Sequence, residues 1–401
     1  VRITRRRSAI IGVLVAIGAA VTPSAQAELL GIAVPVDMGS TQLGRNAWVT
    51  DYGDSGVVIG QSGTGPGETD VRGATWKNGK VTDLGPGANP LAVNGTDVVV
   101  GYQGDWSDKT ARLWRPDGTS VDLAPAGEDS VAVAVNDRGE ALVSSGAAIG
   151  VWRPSGGFTP LAVPGTPKPL GHLPQYRRGD INNLGQVALT AKDGGQAYAV
   201  RCDPAGCVRL PNPAGLSINE AEVRGMNDAG QIAGVIEIRP TSGNPNFTEW
   251  RAVLWQGDEV VLLDTLGGVD SGVAGGEHAI NERGEIIGRA RTSGGPSKAV
   301  VWRGLRPVVI GDTGTSPSAI NDNGDIVGTT SAFGGSGFLL RAGKMTTLPA
   351  LLLVTPYQGP TSVAVTGITD SGLIVGTCSR PIAPYPYYAG HLHRATRWTL
   401  L

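Results

Sequence analysis

Beyond residue 27 no segment approaches 18 continuous apolar residues, so no helix there could span a bilayer. Glycine-free stretches long enough for long helices or coiled coils are also missing. Of 401 residues 61 are Gly, about twice the usual ~7%, and they interrupt the chain about every ten residues. Their spacing follows no G-X-Y period, which excludes collagen. Charge is sparse at 17% and balanced, with 33 basic and 35 acidic residues. That excludes the basic surface of a nucleic-acid or anionic-membrane binder. Catalytic signatures are absent: there is no G-x-S-x-G, H-E-x-x-H or P-loop. Aromatic residues reach only 5%, yet 40% of the chain is hydrophobic, too much for disorder. A fold of many short strands and tight turns remains.

The first 27 residues read as a signal peptide. Arg2, Arg5, Arg6 and Arg7 form a basic start, Ala9 to Val21 an apolar stretch too short to cross a membrane, and Ala25-Gln26-Ala27 a cleavage site. A Val at position 1 fits an alternative bacterial start codon. The expectation is an exported, extracellular protein without membrane insertion. Removal of this segment takes four Arg and no acid, which moves the net charge from −2 to −6. Export permits disulfides. Cys202 and Cys207 bracket Asp203-Pro204-Ala205-Gly206, a type I turn with Gly last, and two strands joined there would bring the thiols together. Cys378 has no evident partner and reads as a small buried residue.

Residues 28–401 carry one repeated unit and read as a single domain. Half of the unit is apolar-Asn-Asp-x-Gly-polar-apolar-apolar-Gly, clearest at Ile280 to Gly288 and Ile320 to Gly328. Copies centre on Gly53, Asn94, Asn136, Asn182, Asn227, Asn281, Asn321 and Thr369, at steps of 41, 42, 46, 45, 54, 40 and 48 residues. The other half is Ala-x-x-Trp, a short turn and a run such as Val-Asp-Leu. Trp76, Trp114, Trp152, Trp255, Trp302 and Trp398 share one place in it, with Val200 and Leu340 standing in for Trp in two copies. Each unit divides into strands a, b, c and d. Asn-Asp-x-Gly closes the c–d turn, where Asn accepts backbone hydrogen bonds and Gly takes positive φ. Four strands per 40–50 residues is the period of β-propeller blades. The N-terminal end supplies a b strand (Val34 to Met38) without its a, and the C-terminal end stops on an a strand (Ala395 to Trp398). One blade shared by both ends would close the ring and hide its edges. The expected fold is an all-β propeller of eight blades, with seven as the alternative because the Gly53 and Asn94 copies are the weakest.

The unit resembles the extracellular HAF-repeat family of bacterial proteins. The residues that carry the resemblance are Arg251 to Trp255, Leu263 to Gly268 and Ala279 to Gly288. The name-giving His-Ala-Phe is missing, and Arg, Lys or Thr followed by Ala stands in its place. The resemblance spans roughly residues 44 to 400. It implies export and a repeat fold, and it supplies no catalytic residues.

Length variation points to a face. The a–b and c–d turns stay short, while b–c and d–a connections lengthen at Val163 to Asp180, Ile236 to Trp250, Gly267 to His278, Ala350 to Thr366 and Cys378 to His393. All of these emerge at one end of the ring, the usual place for binding loops. Trp106, Tyr176, Trp250, Tyr357, Tyr385, Tyr387 and Tyr388 lie there, beside Tyr102 and Phe247, and such rings stack on sugars or extended peptides. These seven are the expected ligand-binding residues. His391 and His393 alternate, so in a strand they share a face at metal-ligand spacing, but no Cys or acid stands at matching spacing and no metal is assigned. Asp180, Glu220, Glu222, Asp270, Glu277 and Asp370 lie near c strands or b–c loops, where two carboxylates could meet across a channel. The resulting expectation is a secreted, monomeric, non-catalytic module for a glycan or protein at the cell surface, with no cofactor. A propeller-fold carbohydrate-active hydrolase or lyase is the alternative.

Overall fold

The computed structural model describes residues 33–41, 46–63, 71–105, 107–125, 127–167, 179–193, 195–239, 248–330, 335–353, 361–382 and 391–400. They form eight antiparallel sheets that follow one another around a ring as an eight-bladed β-propeller. The seven-blade alternative therefore falls. Blade 1 shows the plan. Its inner strand Asn46–Tyr52 is followed outward by Val58–Gly63, Arg72–Lys77 and Lys80–Pro86. These are c, d, a and b in that order. The sequence unit a-b-c-d thus straddles two blades, ending one and starting the next.

Blade 8 closes the ring as the two ends required. Ser362–Ile368, Ile374–Pro381 and His391–Leu400 come from the C-terminal end, and Ala33–Asp37 from the N-terminal end adds the outermost strand. Register runs from Ala33↔Leu400 to Asp37↔Thr396. No open edge is left between first and last blade.

The repeated Trp is packed between blades. All six indoles are buried, Trp302 completely. Four of them reach back to the previous blade with the ring N–H, just past its outer strand: Trp76 to Gly39 O (3.0 Å), Trp255 to Pro211 O, Trp302 to Asp264 O and Trp398 to Pro349 O (2.8 Å each). A large apolar body with one satisfied donor suits this seam. Leu340 takes the Trp place in blade 7, opposite Ile326. In blade 4 the sequence expectation fails. Cys202, not Val200, stands opposite Val187, the counterpart of Ile326. Cys202 pairs directly with Cys207 on the outer strand, and the two form a disulfide. Where six blades bury an indole, blade 4 buries Cys202, with its half-buried disulfide partner Cys207 beside it. Cys378 is a free, buried thiol.

No helix among the described residues is long and apolar enough to cross a membrane. Residues 1–32, which include the expected signal peptide, lie outside the described residues.

Candidate functional site

The c–d turns build the mouth of the central channel. In blade 3, Asn136 Oδ1 accepts the backbone N–H of Arg138 (3.1 Å) and Glu140 (3.0 Å), and Gly139 turns the chain at φ 73°. That much is the local turn chemistry visible in sequence. The other end of the amide reaches the neighbouring blade. Asn136 Nδ2 donates to Asn182 O of the next blade at 2.9 Å. The same bond links Asn94 to Asn136, Asn182 to Asn227, Asn227 to Asn281, Asn281 to Asn321 and Asn321 to Thr369. All six Asn side chains are buried. Six blade seams are thus stitched by one amide each.

A second circuit lies one residue further on. Each backbone N–H there donates to the side chain at the same place in the following blade. The bonds run from Gly95 to Asp137, Asp137 to Asn183, Asn183 to Asp228, Asp228 to Glu282, Glu282 to Asp322, Asp322 to Asp370 and Asp370 to Asp54, at 2.7–2.9 Å. Around the mouth stand Asp54, Asp137, Asp228, Glu282, Asp322 and Asp370, with the Asn183 amide among them. None of these six carboxylates is in an ion pair among the described residues. Their crowding has an electrostatic consequence. Partial burial, then the charges of Asp228, Asp322 and Asp370, hold the Glu282 carboxyl above its ordinary range. Asp322 is raised too, first by burial and then by Asp370.

Behind the rim, the residue before each turn forms an apolar collar of Val93, Val135, Ile181, Met226, Ile280, Ile320 and Ile368, with Tyr52 in blade 1. The Tyr52 ring needs extra room and finds it at Gly367 of blade 8, where a methyl group would overlap the ring. Two carboxylates replace the small residues common in the next row. Asp51 accepts Val93 N–H at 3.2 Å and Asp180 accepts Met226 N–H at 3.1 Å, each reaching into the following blade.

Blade 6 adds the floor. Six inner strands carry one extra residue three places before the turn, for example Ser318 between Pro317↔Gly328 and Ala319↔Val327. In blade 6 this bulge grows into the segment 274–279, which ends in a short 3-10 turn, Glu277–Ala279, behind Gly276 at φ 106°. The enlargement carries His278 across the channel to blade 1. There its Nε2 lies 3.0 Å from Asp51 Oδ1, and its ring stacks on Tyr52 with centroids 4.4 Å apart. Asp51 is buried, and His278 is about one-third exposed. Rim, collar, Asp180 and His278 together enclose about 290 Å³.

This cavity opens at the c–d turns, the end opposite the long connections. The sequence pattern points to the long-loop end for binding. Of its seven ligand-binding residues, only Trp250 falls within the described residues; Trp106, Tyr176, Tyr357, Tyr385, Tyr387 and Tyr388 lie outside them. Trp250 sits in the strand Glu249–Gln256, half-buried against the apolar cluster shared by blades 5, 6 and 7. Tyr102 is core, 7% exposed. Gly267–Val273 is a strand rather than part of a loop. Among the acidic candidates, Asp180 and Asp370 do line the channel. Glu222 instead pairs with Arg224 (3.0 Å) and Asp270 with Arg291 (3.2 Å). The acidic rim was present in the sequence as the second residue of each turn, but a turn alone does not say that eight turns converge.

No family model matches the chain, and no curated protein does. Solved structures similar to it include the β-propeller domain of the trilobed protease from Pyrococcus furiosus, with TM-score 0.46 and 10% identity over 76% of this chain and 96% of that one. The virginiamycin B lyase of Staphylococcus aureus is another, with TM-score 0.44 and 12% identity over 92% and 100%. A third is a puromycin-hydrolysing peptidase of Mycobacterium tuberculosis, with TM-score 0.46 and 13% identity over 84% of this chain and 58% of that one. At such identities the likeness concerns the fold alone, and no ligand or chemistry is carried over from them.

Proposed function

We propose that the protein is an exported binding module whose ligand enters the acidic mouth of the central channel. The ligand is a cationic group on an apolar stem, of the kind a lysine or arginine side chain of a protein partner presents. One observation carries this reading: a concave cavity has unpaired carboxylates at its rim, aliphatic walls behind them and a polar floor. Burial first, and the neighbouring carboxylates after it, raise Glu282 and Asp322, and a cation at the rim relieves the second of these. The stem then meets Val135, Ile181, Ile280 and Ile320 in the collar, where burial contributes about 25 cal/mol per Å². The protein half of the sequence expectation is kept, and the site moves to the other end of the ring. Export rests on residues 1–27 and agrees with the cystine of blade 4.

The test is calorimetric titration with a short lysine-containing peptide and with its Nζ-acetylated counterpart. The acetyl form keeps the stem and loses the charge. Binding of the first alone supports the proposal; equal binding of both, or of neither, refutes it.

A second reading has one observation in its favour. His278, oriented by the buried Asp51 in a concave site, has the arrangement of a general base. A hydrolase or lyase working this way loses all turnover in His278→Ala, whereas a binding module shows no turnover to lose.

A further inference from the structure

Two histidines meet on blade 8, at the long-loop end and away from the acidic mouth. In the closing blade, the strand His391–Leu400 pairs with Ile374–Pro381 so that His391 lies opposite Pro381 and His393 opposite Ser379. The alternation puts both imidazoles on one side of the sheet. Their ring centroids are 5.8 Å apart, with 37° between the planes. Ser379 Oγ lies 2.7 Å from His393 Nδ1. Asn46 Oδ1 holds the His393 backbone N–H at 3.0 Å, and Trp48 stands edge-on to the His393 ring at 6.1 Å. His391 is exposed and His393 is half-buried, so solvent reaches the pair from the His391 side.

We propose that His391 and His393 form a two-imidazole site for a borderline divalent transition metal such as Zn²⁺, Ni²⁺ or Cu²⁺. The spacing fits. With metal–nitrogen bonds of about 2.0–2.1 Å, two imidazoles on one ion have centroids about 4.5 Å apart at a right angle and about 6.4 Å when trans. The observed separation falls between these limits and within about 0.6 Å of the tetrahedral value. The tautomer fits as well. A metal on His393 Nε2 requires the proton on Nδ1, and Ser379 Oγ stands where it accepts that proton's hydrogen bond. Imidazole selects these ions over Mg²⁺ and Ca²⁺, which prefer oxygen. Two protein donors leave the remaining positions to water, so the ion is exchangeable. Alternating histidines alone assigned no metal; the fold contributes the ring separation and the orienting hydroxyl.

The experiment is equilibrium dialysis and calorimetry of the tag-free protein with Ni²⁺ and Zn²⁺, each in excess Mg²⁺ to saturate the acidic mouth. One equivalent is expected to bind to the unaltered protein. Binding should be lost in His391→Ala and in His393→Ala, and weakened about tenfold in Ser379→Ala. Ni²⁺ or Cu²⁺ should quench Trp48, so Trp48→Phe removes most of the fluorescence change while the stoichiometry is kept. His391→Asn serves as a second variant at the exposed position should either alanine variant fail to fold by circular dichroism. Retention of the full equivalent by folded His391→Asn and His393→Ala overturns the proposal, as does absence of binding to the unaltered chain.

Discussion

Replacement of Asn281 by Ala tests the stitching of the blades. This one buried side chain makes four hydrogen bonds: from Arg283 N (3.1 Å), from Glu285 N (2.9 Å), to Glu285 Oε2 (2.9 Å) and to Asn321 O of blade 7 (2.9 Å). Each contributes about 0.5–1.5 kcal/mol net, while the Asn321 carbonyl keeps the Gly324 N–H of its own turn at 2.9 Å. The expected loss is about 3–5 kcal/mol. Thr369 at the same place in blade 8 is the internal control. Its hydroxyl accepts Leu373 N–H at 3.0 Å and contacts Ser371, but the bond to the following blade is missing from its set. Thr369→Ala should therefore cost only about 1 kcal/mol. Asn281→Asp keeps the acceptor, loses the donor and sets a new carboxylate against Glu285. It should be at least as damaging as Ala at pH 7 and should recover as the pH falls and that carboxyl protonates. The assay is equilibrium guanidinium denaturation at pH 7, with midpoint shifts multiplied by the m-value. A loss under about 1 kcal/mol for Asn281→Ala, or an equal loss for Thr369→Ala, would refute the reasoning.

Three further outcomes are expected. Gly367→Ala forces a methyl group into the Tyr52 ring and should cost about 1–3 kcal/mol; adding Tyr52→Val, the residue blade 2 uses in the collar, should return most of it, and strict additivity in a double-mutant cycle would count against the contact. Reduction of Cys202–Cys207, which closes a loop with sequence separation 5, should cost about 2 kcal/mol by chain entropy; unchanged stability in reductant contradicts this. Glu282 has a raised folded-state pKa, so ionisation at the rim opposes folding. That penalty sets in as the pH rises from the ordinary glutamate value through the raised one, and it is absent below both. Glu282→Gln should therefore raise the melting temperature at neutral pH and leave it unchanged near pH 3, with scanning calorimetry at the two pH values as the check.

The local half of this molecule was legible in its residues. Asn-Asp-x-Gly turns, Trp packed between blades and a last blade shared by the two ends all follow from short-range patterns with a period. What stayed hidden depends on closure. Asn136 and Asn182 meet only because 46 residues of chain return to the same axis, and nothing within one turn encodes that meeting. Cys202 takes the Trp place because the blade 4 hairpin sets its own register, one that a match by apolar character assigned to Val200. In sequence His278 ends a stretch that reads as a long loop. It belongs instead to an enlarged bulge, visible only when the inner strands are aligned by their pairing.

The central claim is that the rim carboxylates select a cation. Its most direct test compares two triple variants of equal charge in titrations with the lysine peptide at low salt. One is Glu282→Gln/Asp322→Asn/Asp370→Asn, which preserves the carbonyl acceptors of the rim. The other is Asp117→Asn/Asp258→Asn/Asp312→Asn, on exposed outer turns and loops. The rim variant should lose at least tenfold in affinity and the outer variant should bind like the unaltered protein. Equal losses in both would show that only net charge attracts the peptide, and the channel would not be its site.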